Sequence, residues 1–318
     1  MRSFADLIAP MGADEFIADY HDKRWVHLNG ASDRFADVMS WSVLNDLLNM
    51  RVWTGRTLQL TLDRQRVPME AYCRPGVDRS HQQAQLPEPT LVMDWLARGA
   101  SLTLNEIETL HEPIRDVVQV LETTFGAKSS ANLYCSWQAH QAFDSHYDRH
   151  DVFALHVLGE KTWNIYQGRA EHPIEHPAFH NIPQAEYDRM KGSVAKQVTT
   201  RPGDLLYLPR GQFHDALAQS GASIHVTFSC SEPLGLDWLN LLWQRSVMDP
   251  AFRQYLPRGG DAAGEQALHA HIDGLLSRLR TMALAPDTMA QVKQMRSQFG
   301  MAKPEYELPQ FQPRRRGS

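Results

Sequence analysis

Gly203-Asp204-Leu205-Leu206-Tyr207-Leu208-Pro209-Arg210-Gly211-Gln212-Phe213-His214 is the stretch that decides how this chain folds. Pro202 and Gly203 open a turn, and Leu205 to Leu208 make a short apolar strand. Pro209-Arg210-Gly211 turns again, and His214 stands where the next strand begins. Two turns and a strand of fixed length aim one imidazole to one side of a sheet. The surrounding residues repeat the texture. Asn132-Leu133-Tyr134-Cys135-Ser136-Trp137, Val152 to Leu158, Lys161 to Tyr166 and Ser223 to Ser229 all read as short strands, and Gly159-Glu160 turns between two of them. Many short strands with regular turns predict a barrel or sandwich.

Outside 130–230 the pattern is mostly helical. Residues 1–50 read as helices with a strand at Trp25 to Leu28, and Ser40 caps a helix running from Trp41. Arg51 to Tyr72 is β-like. Residues 74–89, rich in Pro, Gly, Gln and Asp, read as a long loop, a lid or an insert. Helices are expected over Thr90 to Leu96 and Pro113 to Phe125, the second ended by Gly126. Residues 168–200 read as loops at the barrel mouth. Helices return after 231, at Trp238 to Trp243, Ala267 to Met282 and Met289 to Phe299, with coil and a final strand from Pro304. The fold expected is a mainly β core with helices (α+β), a β-barrel in residues 1–230 with a helical N-terminal elaboration, and a helical region in 231–318.

The 318 residues are 42% hydrophobic and 22% charged, with eight Trp, which supports a sizeable core and argues against disorder. A net charge of −5 gives no overall pull toward nucleic acid or membrane. Cys73, Cys135 and Cys230 are odd in number and widely spaced, so neither a disulfide framework nor a zinc knuckle is expected, and a reducing, cytoplasmic compartment is. The first residues lack the apolar run of a signal peptide, and no apolar stretch approaches the ~20 residues of a membrane span. Arg314-Arg315-Arg316 reads as a solvated basic end.

His146-Tyr147-Asp148 carries the chemistry. Residues two apart in an extended segment share a face, so an imidazole and a carboxylate point the same way. With His214 they make two imidazoles and one carboxylate, a set that occupies one face of a metal and leaves the opposite positions open. Non-haem iron(II) oxygenases use that arrangement. A His-x-Asp pair alone is ordinary surface polarity; the turn-strand-turn before His214 is what gives it weight. His172, His176 and His180 recur every four residues, but Pro173 and Pro177 break any helix that would put them on one face. Asn132, Tyr134 and Ser136 alternate along one strand and share a face. Asp151 and Arg149 flank the His-x-Asp pair as a structural acceptor or as substrate anchors.

The spacing G-x5-P-x-G-x2-H at 203–214 resembles the second motif of the cupin barrels. Asp148 stands where many cupins have a second His, which points to the oxygenase branch. Together, His146 to Phe153, Gly159-Glu160-Lys161-Thr162-Trp163, Tyr207 to Gly211 with His214, and His225-Val226-Thr227 resemble a JmjC-type Fe(II)- and 2-oxoglutarate-dependent oxygenase of the ribosomal-oxygenase-like branch. Phe16 to Leu28 resembles the opening of that family. The resemblance implies a double-stranded β-helix, the cupin or jelly-roll barrel. It implies Fe(II) on His146, Asp148 and His214, and 2-oxoglutarate with its far carboxylate on Lys161. Asn132, Tyr134, Thr227 and Ser229 are then co-substrate residues, and Arg149, Asp151 and His225 substrate candidates.

The reaction implied consumes O2 and 2-oxoglutarate, releases succinate and CO2, and hydroxylates an unactivated C–H. The substrate expected is an amino-acid side chain in a protein or peptide, in a ribosomal protein or a natural-product precursor peptide. A free amino acid, or a metal-binding cupin that senses without turnover, are the alternatives. Family relatives carry dimerising helices and then a winged helix after the barrel. For residues 231–318 a homodimer through the helices is expected, without a complete winged helix.

Overall fold

The computed structural model describes residues 3–137, 143–179, 182–219 and 221–300. Two short helices open it: α1 (Phe4–Ile8), capped by the Ser3 hydroxyl, and α2 (Ala13–Asp19). Then come β1 (Val26–Leu28) and α3 (Trp41–Leu48), where the Ser40 hydroxyl accepts from the Val43 amide as the sequence predicts. β2 (Leu58–Leu62), β3 (Gln65–Arg66), β4 (Cys73–Val77), β5 (Gln83–Pro87), α4 (Pro89–Ala97) and β6 (Ser101–Leu104) follow. α5 (Glu112–Phe125) ends on Gly126, whose φ of 57° is the left-handed stop glycine favours. The barrel strands are β7 (Lys128–Trp137), β8 (Asp151–Leu158), β9 (Lys161–Arg169), β10 (Val194–Thr200), β11 (Leu205–Leu208), β12 (Gln212–Ala218) and β13 (Ala222–Ser231), with α6 (Gln184–Lys191) between β9 and β10. α7 (Gly235–Ser246), α8 (Ala262–Ala283) and α9 (Pro286–Gln298) close the described chain.

Apart from β4 and β5, the strands form two facing sheets. The larger has the order β1-β11-β8-β13-β7-β6-β2-β3 and the smaller β10-β9-β12, with every pairing antiparallel. β8 sits between β11 and β13, and successive residues of the chain alternate between the two sides of the larger sheet. On its outer side Ala131, Leu133 and Cys135 of β7, Phe153 and Leu155 of β8, and Ile224, Val226 and Phe228 of β13 enter one apolar core. That core includes Phe4, Phe16, Ile114, Val117, Leu121 and Phe125 from α1, α2 and α5. Each fully buried Leu, Ile, Val or Phe among them contributes roughly 1.5–3 kcal/mol. On the inner side Val152 and Ala154 of β8 and Leu206 and Leu208 of β11 meet Trp163 and Ile165 of β9 and Val198 of β10. The remaining inner positions of β7 and β13 are polar: Asn132, Tyr134, His225, Thr227 and Ser229. The double-stranded β-helix expected from the sequence is the fold observed. Cys73, Cys135 and Cys230 are free and buried.

Three expectations are corrected. Residues 74–89 are not a long loop: β4 and β5 pair as a two-stranded hairpin in the register Cys73↔Pro87 to Val77↔Gln83. Asp78 accepts from the Ser80 and Gln82 amides at its tip. Pro75 is tolerated because a two-stranded ribbon has a free edge on both sides. Residues 168–200 hold α6 and the edge strand β10, where a loop was expected. α8 begins at Ala262, capped by the Asp261 carboxylate, five residues before its apolar periodicity becomes visible. The expected final strand after Pro304, and His180 of the histidine series, lie outside the described residues.

Candidate metal centre

His214 reaches its place through two glycines. Gly203 and Gly211 have φ of 90° and 83°, and a Cβ on them would stand 1.9 Å from the Ala31 carbonyl oxygen and 2.1 Å from that of Ala170. No other residue fits either turn. The Asp204 carboxylate ties the first turn down by accepting from the Arg201 and Gly30 amides and meeting His27 Nε2 at 2.9 Å. The Asp151 carboxylate accepts from the Arg210 amide at 2.8 Å and holds the second turn.

Residues 146–148 run alongside β12. His146 and His214 exchange both backbone hydrogen bonds, at 3.0 and 2.8 Å, and the Gly211 amide donates to the Asp148 carbonyl at 2.8 Å. That pairing places His146, Asp148 and His214 on one side. The residues beside them, Tyr147 and Phe213, point the other way and pack in a T-shaped pair at 5.1 Å. Tyr187 of α6 stacks on Tyr147 at 5.3 Å, so α6 braces this edge from outside.

One ligand atom from each of His146, Asp148 and His214 lies within 4.8 Å of the other two, and His214 Nε2 is 3.6 Å from an Asp148 oxygen. Both rings are oriented by the same device. His146 Nδ1 is 2.8 Å from the Asp144 carbonyl, and His214 Nδ1 is 3.0 Å from that of Gln212. A carbonyl only accepts, so the proton sits on Nδ1 and the Nε2 lone pair faces the Asp148 carboxylate. Metal-binding imidazoles are set this way. Burial pushes the Asp148 carboxyl up, but His150, His146, His214 and Arg149 together outweigh it and hold it below its usual range. Burial, then His146, lowers His214 to about 4, so its ring is neutral near pH 7. A carboxylate and two imidazole nitrogens fit a divalent transition metal. Among the described residues this is the one such cluster, and His172 and His176 do not join it.

The three ligands open into a cavity of about 220 Å3 between the two sheets. Lys161 projects into it from β9, 5% exposed, with no carboxylate paired to it among the described residues. Burial lowers the ammonium to about 8, opposed only by Cys135. Asn132, Tyr134, Thr227 and Ser229 all line the cavity, as does His225. Burial raises the Tyr134 hydroxyl to about 12, so it stays protonated. Arg149 and Asp151 are not among the lining residues. Arg149 pairs with Glu175 at 2.7 Å, and Asp151 is buried against the Arg210 turn with His21 Nε2 at 3.6 Å. Odd positions here face away from the even ones that carry the ligand set. Phe143, His150, Val152, Trp163 and Ala216 line the cavity without having been singled out. Period-two steps would have found four of them: Asp148 to His150 and Val152, Lys161 to Trp163, His214 to Ala216.

Residues 104–237 match the JmjC domain family. Ribosomal oxygenase 1 of Gallus gallus is 31% identical over 230 residues, which is 71% of this chain and 36% of that protein. The bifunctional lysine-specific demethylase and histidyl-hydroxylase NO66 of Drosophila erecta is 27% identical over 227 residues, 70% of this chain and 32% of its own. The chain thus spans about a third of the length of these curated relatives. The structure of YcfD, a ribosomal oxygenase from Escherichia coli in complex with cobalt and 2-oxoglutarate, superposes with a TM-score of 0.57 at 18% identity, covering 91% of this chain and 72% of that one. That likeness is one of fold. Residues 104–237 thus match a JmjC domain, in a chain that resembles the ribosomal oxygenases.

Proposed function

We propose that this protein is an Fe(II)- and 2-oxoglutarate-dependent oxygenase that hydroxylates an amino-acid side chain in a protein. The observation that carries the reading is the buried Lys161 ammonium in the same cavity as the His146, Asp148 and His214 ligand atoms. A buried cation without an anion is costly, and a carboxylate ligand removes that cost. A metal chelator with a second, distal carboxylate satisfies both ends of the cavity, and 2-oxoglutarate is such a molecule. Bound there, the iron supplies the activation of O2 that hydroxylation of a C–H needs. His146, Asp148 and His214 would hold it, Lys161 would anchor the far carboxylate, and Asn132, Tyr134, Thr227 and Ser229 would donate hydrogen bonds or close the walls. A metal-binding cupin that senses or binds a small molecule without turnover is the alternative, and it would release no succinate.

The relatives' names favour a ribosomal protein as substrate, and one of them names histidine as the hydroxylated residue. Residues 1–230 are assigned as the catalytic domain and 231–318 as a helical region that pairs two copies. Leu239, Leu242, Trp243, Val247, Phe252 and Leu279 line an apolar groove of about 420 Å3 beside α7, and Trp243 is 66% exposed. A second copy would cover it. Among the described residues no helix is long and apolar enough to cross a membrane. The three free cysteines suit a reducing, cytoplasmic setting. The test is mass spectrometry of ribosomal proteins incubated with the protein, Fe(II), 2-oxoglutarate and O2. A one-oxygen mass gain that needs all three additions supports the reading; succinate release with no modified protein removes the protein-substrate part of it.

A further inference from the structure

His225 was expected at the substrate end, and its surroundings put it at the other. His225 pairs across the sheet with Tyr134 and His156, whereas Ser229 pairs with Val152, next to the metal ligands. In the smaller sheet His214 pairs with Ile165 and Ala218 with Lys161. Lys161 therefore stands four residues of β12 away from the metal level, about 13 Å at the rise of a strand. His225 stands beside Lys161. The Trp163 ring is the neighbour they share: the His225 ring meets it edge-on at 5.4 Å, and Lys161 Nζ is 5.8 Å from its centroid. Tyr134 stacks on the other side of His225 at 5.0 Å and 10° between planes.

His225 is 3% exposed, and its Nδ1 is sealed off with no hydrogen-bond partner. The ring nevertheless lines the cavity, which leaves Nε2 as the nitrogen the cavity reaches. A proton on the sealed Nδ1 would be a buried donor with nothing to donate to, so it belongs on Nε2. The ring cannot be a second cation. Burial, then Lys161 and His156, hold it well below 6.5. One ammonium and one neutral N–H then converge on the same end of the cavity.

We infer that His225 is a second recognition group for the distal carboxylate of the 2-oxo acid, donating Nε2–H to it beside Lys161. This rests on the 2-oxoglutarate reading above. A neutral donor adds a hydrogen bond to the carboxylate without adding a charge that would repel Lys161 when the cavity is empty. It also gives a reason for an imidazole on a strand whose outward neighbours, Ile224 and Val226, are plain apolar core.

The experiment uses manganese(II)-loaded protein, in which calorimetry reads ligand affinity without turnover. Two probes are titrated: 2-oxoglutarate, and oxalate, which chelates the metal and has no distal arm. His225→Leu should weaken 2-oxoglutarate about tenfold or more, as loss of a hydrogen bond to a charged group does, while oxalate stays within about twofold of wild type. His225→Asn, which keeps an N–H donor, should recover part of the loss and decides the matter if the Leu variant does not fold. Equal weakening of both probes, or no change in either, overturns the assignment. Wild-type protein that binds oxalate but not 2-oxoglutarate overturns the co-substrate reading itself, a different result from failure of His225 alone.

Discussion

Asp148 and Lys161 mark the two ends of one cavity, and they should fail in different ways. Asp148→Ala removes the single carboxylate ligand and leaves two imidazoles. It should remove most of the iron, read by metal analysis after Fe(II) loading and desalting, and retention at the wild-type level would remove Asp148 from the ligand set. Lys161→Ala should leave iron binding intact and raise the 2-oxoglutarate requirement roughly tenfold to a hundredfold, the worth of a charge-assisted contact. An unchanged half-saturating 2-oxoglutarate concentration would contradict its role. Asp148 was legible beside His146 because residues two apart in an extended segment share a face, whereas Lys161 was singled out only through the family resemblance. Arg149 was not legible as a surface residue. Its charge beside the ligand pair looks functional, and only the alternation of the segment sends it outward to Glu175.

At the scale of elements, the turn-strand-turn of 203–214 was readable because Gly203 and Gly211 are required by conformation and by close backbone approach. Gly211→Ala should destabilise the fold by more than about 1 kcal/mol, seen as a lower unfolding midpoint. No change would mean that the turn relaxes. The β4–β5 hairpin and β10 were not readable. Pro75 and Gly76 hide a strand pair that has no sheet to join, and β10 is an edge strand whose Lys196 and Gln197 face solvent, so neither shows the apolar alternation of a buried strand. Between β8, β9 and β10 a buried chain of hydrogen bonds locks the hairpin. Trp163 Nε1 donates to the Thr200 hydroxyl, that hydroxyl is 3.0 Å from His156 Nδ1, and His156 Nε2 is 2.9 Å from the Gly159 carbonyl. Burial lowers His156 from 6.5 to about 4, so the folded chain refuses a proton that the unfolded chain accepts below pH 6.5. This contribution to stability is intact above pH 6.5 and is lost as pH falls toward 4. Between pH 7 and pH 5 it amounts to about 2 kcal/mol. Denaturant titrations of wild type should show a decline to which buried His214 and His225 add in the same sense, and His156→Gln should make it shallower by about 2 kcal/mol between pH 7 and pH 5; a profile parallel to wild type would assign none of the decline to His156.

At the scale of the whole molecule, the larger sheet does two jobs with its two sides. Its outer side is apolar and welds β7, β8, β11 and β13 to α1, α2 and α5, while its inner side packs on the smaller sheet through apolar residues of β8 and β11 and lines the cavity with polar residues of β7 and β13. The helices after the barrel add no side chain to that core, although Arg296 of α9 donates to the Phe125 carbonyl, and they expose Leu239, Trp243 and Val247. If two copies meet there, Trp243→Glu should convert a dimer to a monomer in sedimentation without altering the metal centre, and a monomeric wild type would contradict the pairing. The barrel itself is accounted for by one claim: it holds iron and a 2-oxo acid together. Anaerobic titration of 2-oxoglutarate into the Fe(II)-loaded protein, followed by admission of O2, tests that claim most directly. A new visible absorption band that saturates with 2-oxoglutarate, fails to form in Asp148→Ala, and decays on O2 with release of succinate is the predicted result. Iron bound with no band and no succinate, whatever the 2-oxoglutarate concentration, would contradict it.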